Sequence, residues 1–402
     1  MTDDARRLRP VLAAFAGGAA AWLIAFGASL ALAAGFRVMG VEDDRITGIV
    51  SRHFTGDAVR FLAFTAVAHL AFGLWFAVPV AALKKPSFGL AFFFALGASL
   101  ALLGYGAGYR PALYSSWLYD RGGPAALVHV FLTRNPVAAL ALVLPAAAVV
   151  VARAVKSRDA VALFALILSL TGAGAMVFYR PPSRPVAAPA SADKPDLVIL
   201  AADSLRPDRL ACYGGKRAVT PNISALCDGA TMFEEAFVPT ARTFPSWASI
   251  LTGQPPWVHG VRNMFPDPER ATLEEALPRR LALAGYETAV FSDYAGDVFP
   301  RMDAGFDIVH APPFDFRTLV YIELLTAQKF LLPFIDTALG RRHVPLIDAS
   351  AEASDARHLT DRVLAYLARP TTKPRLVVVF YSTTHFPFAV PYPDVDRFTA
   401  PD

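Results

Sequence analysis

Apolar and polar positions divide the chain near residue 180. Before that point five stretches run without an acidic or basic side chain other than histidine: Pro10–Phe36, Phe61–Leu83, Pro86–Tyr109, Pro136–Ala152 and Ala160–Tyr179. Each is close to the roughly 17–25 residues that a helix needs to cross a hydrocarbon core. A backbone in lipid must satisfy its own hydrogen bonds, so the stretches are predicted as helices. The first is too long, and the set too numerous, for a cleaved signal peptide. The expectation is a transmembrane domain over 1–179 with helices at 10–36, 61–83, 86–109, 136–152 and 160–179, the fourth being the shortest.

Residues 180–194 (RPPSRPVAAPASADK) have no apolar period and read as a proline-stiffened linker. A globular pattern then begins. Asp196–Ala202 (DLVILAA) is a continuous apolar run and predicts a buried strand, as do Glu287–Ser292 and Leu376–Tyr381. Thr220-Pro221 opens a short helix that stops at Gly229, and Ser246–Thr252 makes another before Gly253. Thr272-Leu-Glu-Glu275 is a capping box for a helix to Gly285, with Pro278 out of place inside it. Ser354–Ala368 is an amphipathic helix. Alternating strands and helices predict an α/β domain over 195–402 with a mostly parallel central sheet. Phe316–Leu339 is too apolar for a surface insertion, and it reads either as a helix lying on the membrane or as a core helix of the α/β domain.

Composition sharpens the membrane reading. The chain of 402 residues is 54% hydrophobic and 18% charged, which is apolar for a soluble enzyme. The net charge of +4 carries no long basic run. It fits loop charge that orients helices and argues against nucleic-acid binding. Arg6, Arg7 and Arg9, then Lys84 and Lys85, then Arg153, Lys156 and Arg158 fall on one side if all five stretches span. That side is cytoplasmic, which places the second half outside the cytoplasm, on the cell (inner) membrane. His69 and His129 are read as packed side chains rather than a transport path. Cys212 and Cys227 form no zinc-ligand pattern and are expected as buried free thiols rather than a disulfide.

The polar residues that follow the strands carry the chemistry, since ligands in open α/β sheets gather beyond the carboxyl ends. Asp203 follows the first strand, Asp293 the next and His385 the last. Asp203-Ser-Leu-Arg-Pro-Asp208-Arg-Leu-Ala-Cys-Tyr-Gly214 leads to Thr220-Pro-Asn222, then Thr243-Phe-Pro-Ser-Trp-Ala-Ser-Ile-Leu-Thr-Gly253, His259-Gly-Val261 and Thr384-His385-Phe-Pro387. This order resembles the sulfatase family of the alkaline phosphatase superfamily, over Asp196 to about Pro393. Asp203–Gly214 is similar to the hallmark D-D-L-R-x-D-x-L-x-C-Y-G, with Ser204 in place of the second Asp. Thr243–Gly253 is similar to C/S-x-P-S-R-x-S-x-L-T-G, with Thr243 in place of the Cys or Ser and Trp247 in place of the Arg.

The resemblance implies that Asp203 and Thr243 hold one divalent cation (Zn, Mn, Ca or Mg), that Thr243 is the nucleophile and that His385 contacts the transferred anion or leaving oxygen. A strand-end carboxylate suits a hard cation, and a helix N-terminus after Thr243 suits an anion through its free amides and dipole. Arg206, Asn222, Ser246 and His259 are supporting candidates, His259 with a structural part. Family sulfatases oxidise the Cys or Ser to formylglycine, whereas a threonine would give a ketone. Direct attack by a threonine alkoxide is what the resemblance implies for phosphoethanolamine transferases and lipoteichoic acid synthases, which also carry about five membrane helices. The expected partners are membrane lipids and a small-molecule or lipid-linked phosphate or sulfate ester. Arylsulfatase-like hydrolysis and an inactive binding form are the alternatives. Family members carry a second ligand pair, Asp-Asn or Asp-His, well after the position of His385. Its absence leads to the expectation that the domain is C-terminally incomplete.

Overall fold

The computed structural model describes residues 3–39, 52–118, 136–182, 194–215, 219–267 and 271–397. His129, much of the two long loops of the N-terminal half and the linker over 183–193 lie outside the described residues. The helices and strands used below, in chain order, are α1 (Asp3–Met39), α2 (Thr55–Ala81), α3 (Phe88–Tyr109), α4 (Leu144–Ser157), α5 (Ala160–Phe178), β1 (Leu197–Ala202), α6 (Thr243–Thr252), α7 (Leu277–Leu283), β2 (Glu287–Ser292), β3 (Ile308–His310), α8 (Phe316–Thr326), α9 (Ala356–Leu367) and β4 (Arg375–Tyr381). The chain forms two compact units. One is Met1–Pro181 with Asp315–Ala353 and Val390–Asp402, and the other is Pro182–Phe314 with Ser354–Ala389.

The first unit is helical. Among the described residues, five of its helices are long and apolar enough to cross a membrane: Leu8–Ala31, Thr55–Ala81, Phe88–Tyr109, Ala138–Ser157 and Ala160–Phe178. The fourth starts as a 3₁₀ helix over Pro136–Val143 before α4 continues it. Small residues set the closest approach. A Cβ on Gly18 would strike the Gly73 carbonyl, and one on Gly73 the Gly18 carbonyl, so α1 and α2 touch backbone to backbone. His69 is buried there; its Nδ1–H donates to the Thr65 carbonyl at 2.8 Å, and its ring packs on Trp22 and Phe26.

Residues 315–353 belong to this helical unit, so Phe316–Leu339 is not a core helix of the α/β domain. Leu325, Phe330, Leu331, Leu332, Phe334 and Ile347 share one hydrophobic cluster with Phe76 and Phe94 of α2 and α3. Phe334 stacks on Phe72 at 4.1 Å and Tyr321 on Phe61 at 5.2 Å. Its polar anchor is a buried ion cluster. Arg110, just past α3, pairs with Asp336 through Nε and again at 3.2 Å, and donates to the Ala353 carbonyl at 2.8 Å. Arg341 pairs with the same Asp336 through Nε at 3.0 Å and with Asp348. Arg110 is 3% exposed and Asp336 5%. Burial pushes the Asp336 carboxyl up, but the two guanidiniums outweigh it and hold the group below its ordinary value.

The second unit is an α/β layer structure. Its sheet has the order β1-β4-β2-β3, with every pairing parallel. Successive residues of β4 serve opposite faces. Leu376, Val378 and Phe380 enter a core with Phe244, Trp247 and Leu251 of α6, while Val377 and Val379 meet Leu359, Val363 and Tyr366 of α9. That alternation at period two gives the central strand its continuous apolar run. The same kind of run in β1 predicts burial, yet β1 lies at the edge of this order, with Val198 53% and Leu200 65% exposed. A run's apolarity does not say whether both faces are covered. Two further differences are local. Glu274 and Glu275 lie in a turn, and α7 starts only at Leu277 with Pro278 in its first turn, where backbone N–H groups have no intrahelical partner to lose. Cys212 and Cys227 are bonded as a disulfide, with Cα atoms 6.4 Å apart, and are not free thiols.

Candidate active site

The site is built at the carboxyl end of β1. The Asp203 N–H closes the ladder onto the Tyr381 carbonyl at 2.8 Å, so Asp203 is the last residue held by the sheet. Ser204 then turns with φ 59°, a left-handed conformation uncommon for a residue with a Cβ. The chain leaves the strand abruptly and the Asp203 carboxylate stands at its tip. Ser204 Oγ donates to Asp203 Oδ1 at 3.0 Å. Thr243 Oγ1 donates to the other oxygen, Oδ2, at 3.4 Å. The structure therefore brings Asp203 and Thr243 together.

Thr243 is the first residue of α6 rather than a cap in front of it; Arg242 occupies the cap position in extended conformation. The amides of this helix end are largely spent. The Phe244 N–H points at Met264 Sδ at 3.4 Å, Pro245 has none, and the Ser246 N–H donates to the Arg242 carbonyl at 3.0 Å. What α6 offers an anion is its dipole and the Thr243 N–H, fewer donors than the sequence pattern implies. Trp247, one turn on, is buried with its ring 5.0 Å from Phe299 and 5.1 Å from Phe380. The position where the resembling family carries Arg is thus part of the core.

His385 arrives on the loop after β4. Thr384 Oγ1 donates to the Asp203 carbonyl, tying that loop to the tip of β1. The His385 ring meets Tyr294 edge-on at 5.7 Å, and its Nδ1–H donates to the Phe386 carbonyl at 2.7 Å. That bond places the proton of the neutral ring on Nδ1 and leaves Nε2 as its second functional atom.

The supporting candidates scatter. The Arg206 guanidinium clasps Asp208 in a solvent-exposed fork at 2.9 and 2.8 Å, and Asp208 is held below its ordinary value by that bond. Asn222 is exposed in the short helix Pro221–Cys227. Ser246 Oγ donates to the Thr240 carbonyl at 3.1 Å. His259 is fully buried; its Nδ1 accepts from the Val261 N–H at 3.1 Å, so Nε2 carries the proton to Ser249 Oγ at 3.0 Å. Burial lowers its pKa, and it braces α6 as a neutral ring. Asp293, also at a strand end, is buried and accepts from the Ser382 N–H and Ser354 Oγ at 3.2 and 2.6 Å, which locks β2 to β4.

Sequence reasoning missed Arg301. Its guanidinium sits over the rings of Phe244, Phe265 and Phe314 at 5.2, 5.3 and 4.9 Å and pairs with Asp297 at 2.9 Å. It also donates to the Met264 carbonyl at 2.7 Å, fixing the residue whose sulfur meets the Phe244 amide. Nothing in the spacing of these residues announces the cluster.

The Sulfatase family model matches residues 195–402, just over half of the chain. The chain belongs to the sulfatase family. An N-acetylgalactosamine-6-O-sulfatase of Bacteroides thetaiotaomicron is 28% identical over 133 residues, covering 29% of this chain and 26% of that protein. Arylsulfatase A of Homo sapiens is 39% identical over 67 residues, 17% of this chain and 13% of that one. An arylsulfatase of Clostridium perfringens is 32% identical over 95 residues, 24% and 20% of the two chains. The chain thus spans about a quarter or less of the length of these relatives. No solved structure matches.

Members of the sulfatase family usually use a divalent metal ion. Asp203 and Thr243 offer a carboxylate and a hydroxyl, three hard oxygens between them. Among the described residues no group of three or more His, Cys, Asp or Glu side chains converges. Three oxygens fall short of the four or more ligands such ions take, so the described residues alone do not make a metal centre.

Proposed function

We propose that this chain is a membrane-anchored sulfatase-type enzyme that cleaves a sulfate or phosphate ester with Thr243 as nucleophile. The observation that carries the reading is the Thr243 hydroxyl hydrogen-bonded to the Asp203 carboxylate at the first residue of α6. Asp203 orients the hydroxyl and takes its proton as Oγ1 attacks sulfur or phosphorus. The dipole of α6 favours the anion at that spot. The ester oxygen departs with a proton from Nε2 of His385 in its imidazolium form, Nδ1–H staying on the Phe386 carbonyl and the ring returning to neutral. Water, or a second alcohol, then displaces Thr243 from the adduct.

The names of the relatives favour sulfate esters. A second reading, transfer of a phospho-headgroup from a lipid, is favoured by the threonine, which oxidation would turn into a ketone, and by the five apolar helices. The inner membrane and an extracytoplasmic active domain are part of this proposal and rest on the Arg/Lys clusters that alternate between the apolar stretches.

The test is Thr243→Ala and Thr243→Ser in purified full-length protein. Ala should abolish turnover of an aryl sulfate and of an aryl phosphodiester, while Ser should retain part of it. High-resolution mass spectrometry after substrate exposure should find a sulfo or phospho adduct on Thr243, and its identity decides between the two readings. Turnover by Thr243→Ala at the wild-type rate would refute the proposal.

A further inference from the structure

The helical unit holds a cavity of about 200 Å³ that takes no part in the chemistry above. Its walls come from α2, α3, the 3₁₀ segment before α4, and α5, and every lining side chain is apolar. Ala98, Ala101, Ala173 and Gly174 are among the lining residues, and their small side chains leave room for the hollow. A Cβ built on Gly174 would meet nothing within 4 Å, which marks open space at that point. By contrast a Cβ on Gly97 would meet the Leu142 carbonyl at 3.2 Å, so the neighbouring contact is closed. The cavity runs along α5 to Val177 and Phe178. Tyr179 and Arg180 follow, both exposed, and such residues settle at the level of lipid headgroups.

We propose that this groove holds one acyl chain of a membrane lipid, its headgroup end beside Tyr179 and Arg180. The inference rests on the reading that the five helices lie in a bilayer, and it is independent of the reaction at Thr243. The walls are almost wholly apolar and offer water too few hydrogen-bond partners to hold it. Left empty, it would forfeit the dispersion contacts of its lining. At membrane depth the abundant species that can fill a narrow apolar space is a hydrocarbon chain, and all of the lining residues lie on the membrane-length helices or on the 3₁₀ turn that leads into one. A groove differs from the ordinary lipid-facing surface in contacting the chain on several sides, so its occupant should exchange slowly and stand out from the annular lipid.

The experiment uses the full chain in phosphatidylcholine nanodiscs that contain a phosphatidylcholine with a diazirine on one acyl chain. After irradiation, peptide mass spectrometry should place labels on residues 98–102 and 170–178 several-fold above those around Gly27. Gly27 is a matched control, because a Cβ there also meets nothing within 4 Å. Gly174→Leu should cut the groove label at least fivefold, Gly174→Val should give an intermediate value, and Gly27→Leu should leave it unchanged. Uniform labelling around the bundle, or a groove label indifferent to Gly174→Leu, would overturn the proposal. Release of the chain from native membranes by alkaline carbonate would overturn the bilayer reading itself, whereas retention together with uniform labelling would sink the groove alone.

Discussion

Replacing Arg110 with methionine tests what holds residues 315–353 to the helical unit. Among the described residues the buried cluster has two arginines and two aspartates. Arg110→Met removes one positive charge from a site where Asp336 is 5% exposed. Asp336 Oδ2 loses its Nε donor, while Oδ1 and the Ala353 carbonyl keep Arg341. Breaking a buried pair costs about 3–5 kcal/mol, and the surviving Arg341 contacts put this case near the lower end. A loss of about 3 kcal/mol corresponds to a drop of roughly 150-fold in the protection of amides that exchange by local opening. The assay is hydrogen exchange of the full chain in detergent, read on peptides covering 315–353. Arg110→Met combined with Asp336→Leu removes both charges and leaves Arg341 balanced by Asp348, so protection should recover by at least tenfold over the single variant. Protection unchanged within twofold in Arg110→Met, or a double variant worse than the single one, would refute the reasoning.

Three further outcomes follow from the same structure. Trp247→Arg, which restores the residue type of the resembling family, should unfold the α/β unit rather than assist catalysis, because it puts an unpaired charge among Phe299 and Phe380; loss of near-ultraviolet circular dichroism checks this. Burial lowers the Lys329 pKa to about 8 from 10.5, with its ammonium over the Tyr114 ring and on the Leu113 carbonyl. The unfolded chain therefore binds the extra proton between those values, and stability should rise with pH across that window by up to roughly 3 kcal/mol; Lys329→Met should flatten the rise in denaturant midpoint. The Cys212–Cys227 bond closes a loop with a sequence separation of 15, so its reduction should cost about 3 kcal/mol locally; maleimide labelling of the untreated protein should find no free thiol.

The sequence is legible where one pattern has one physical cause. β2 needs both faces covered, and its apolar run has the bounds of the strand, Glu287–Ser292. Asp203 and Thr243 are 40 residues apart, yet the strand tip and the helix start that carry them were both marked by local signals, and they meet at 3.4 Å. Legibility fails where the cause lies elsewhere in space. Nothing within β1 says that it ends up at an edge, and three residues are too few for β3 to show a period. Phe316–Leu339 is apolar because its partners are Phe61, Phe72 and the other helices of the first unit, which no local window can register. The amides of α6 look free in the sequence because Met264 and the arginine that fixes it belong to other segments.

The interleaving of the two units along the chain has a consequence for biogenesis. Synthesis runs from the N-terminus, so the five apolar helices emerge well before Phe330, Phe334 and Asp336 exist. The helical body must wait, with its receiving surface bare and Arg110 lacking Asp336, until more than a hundred residues of the other body have left the ribosome. Dissection should suffer from both directions. A fragment stopped at the proline-rich linker would keep a vacant seat, and one begun there would carry Phe330, Leu331, Leu332 and Phe334 into water with nothing to receive them. Neither half of this polypeptide is a self-sufficient expression target, although the boundary between them looks like an obvious place to cut.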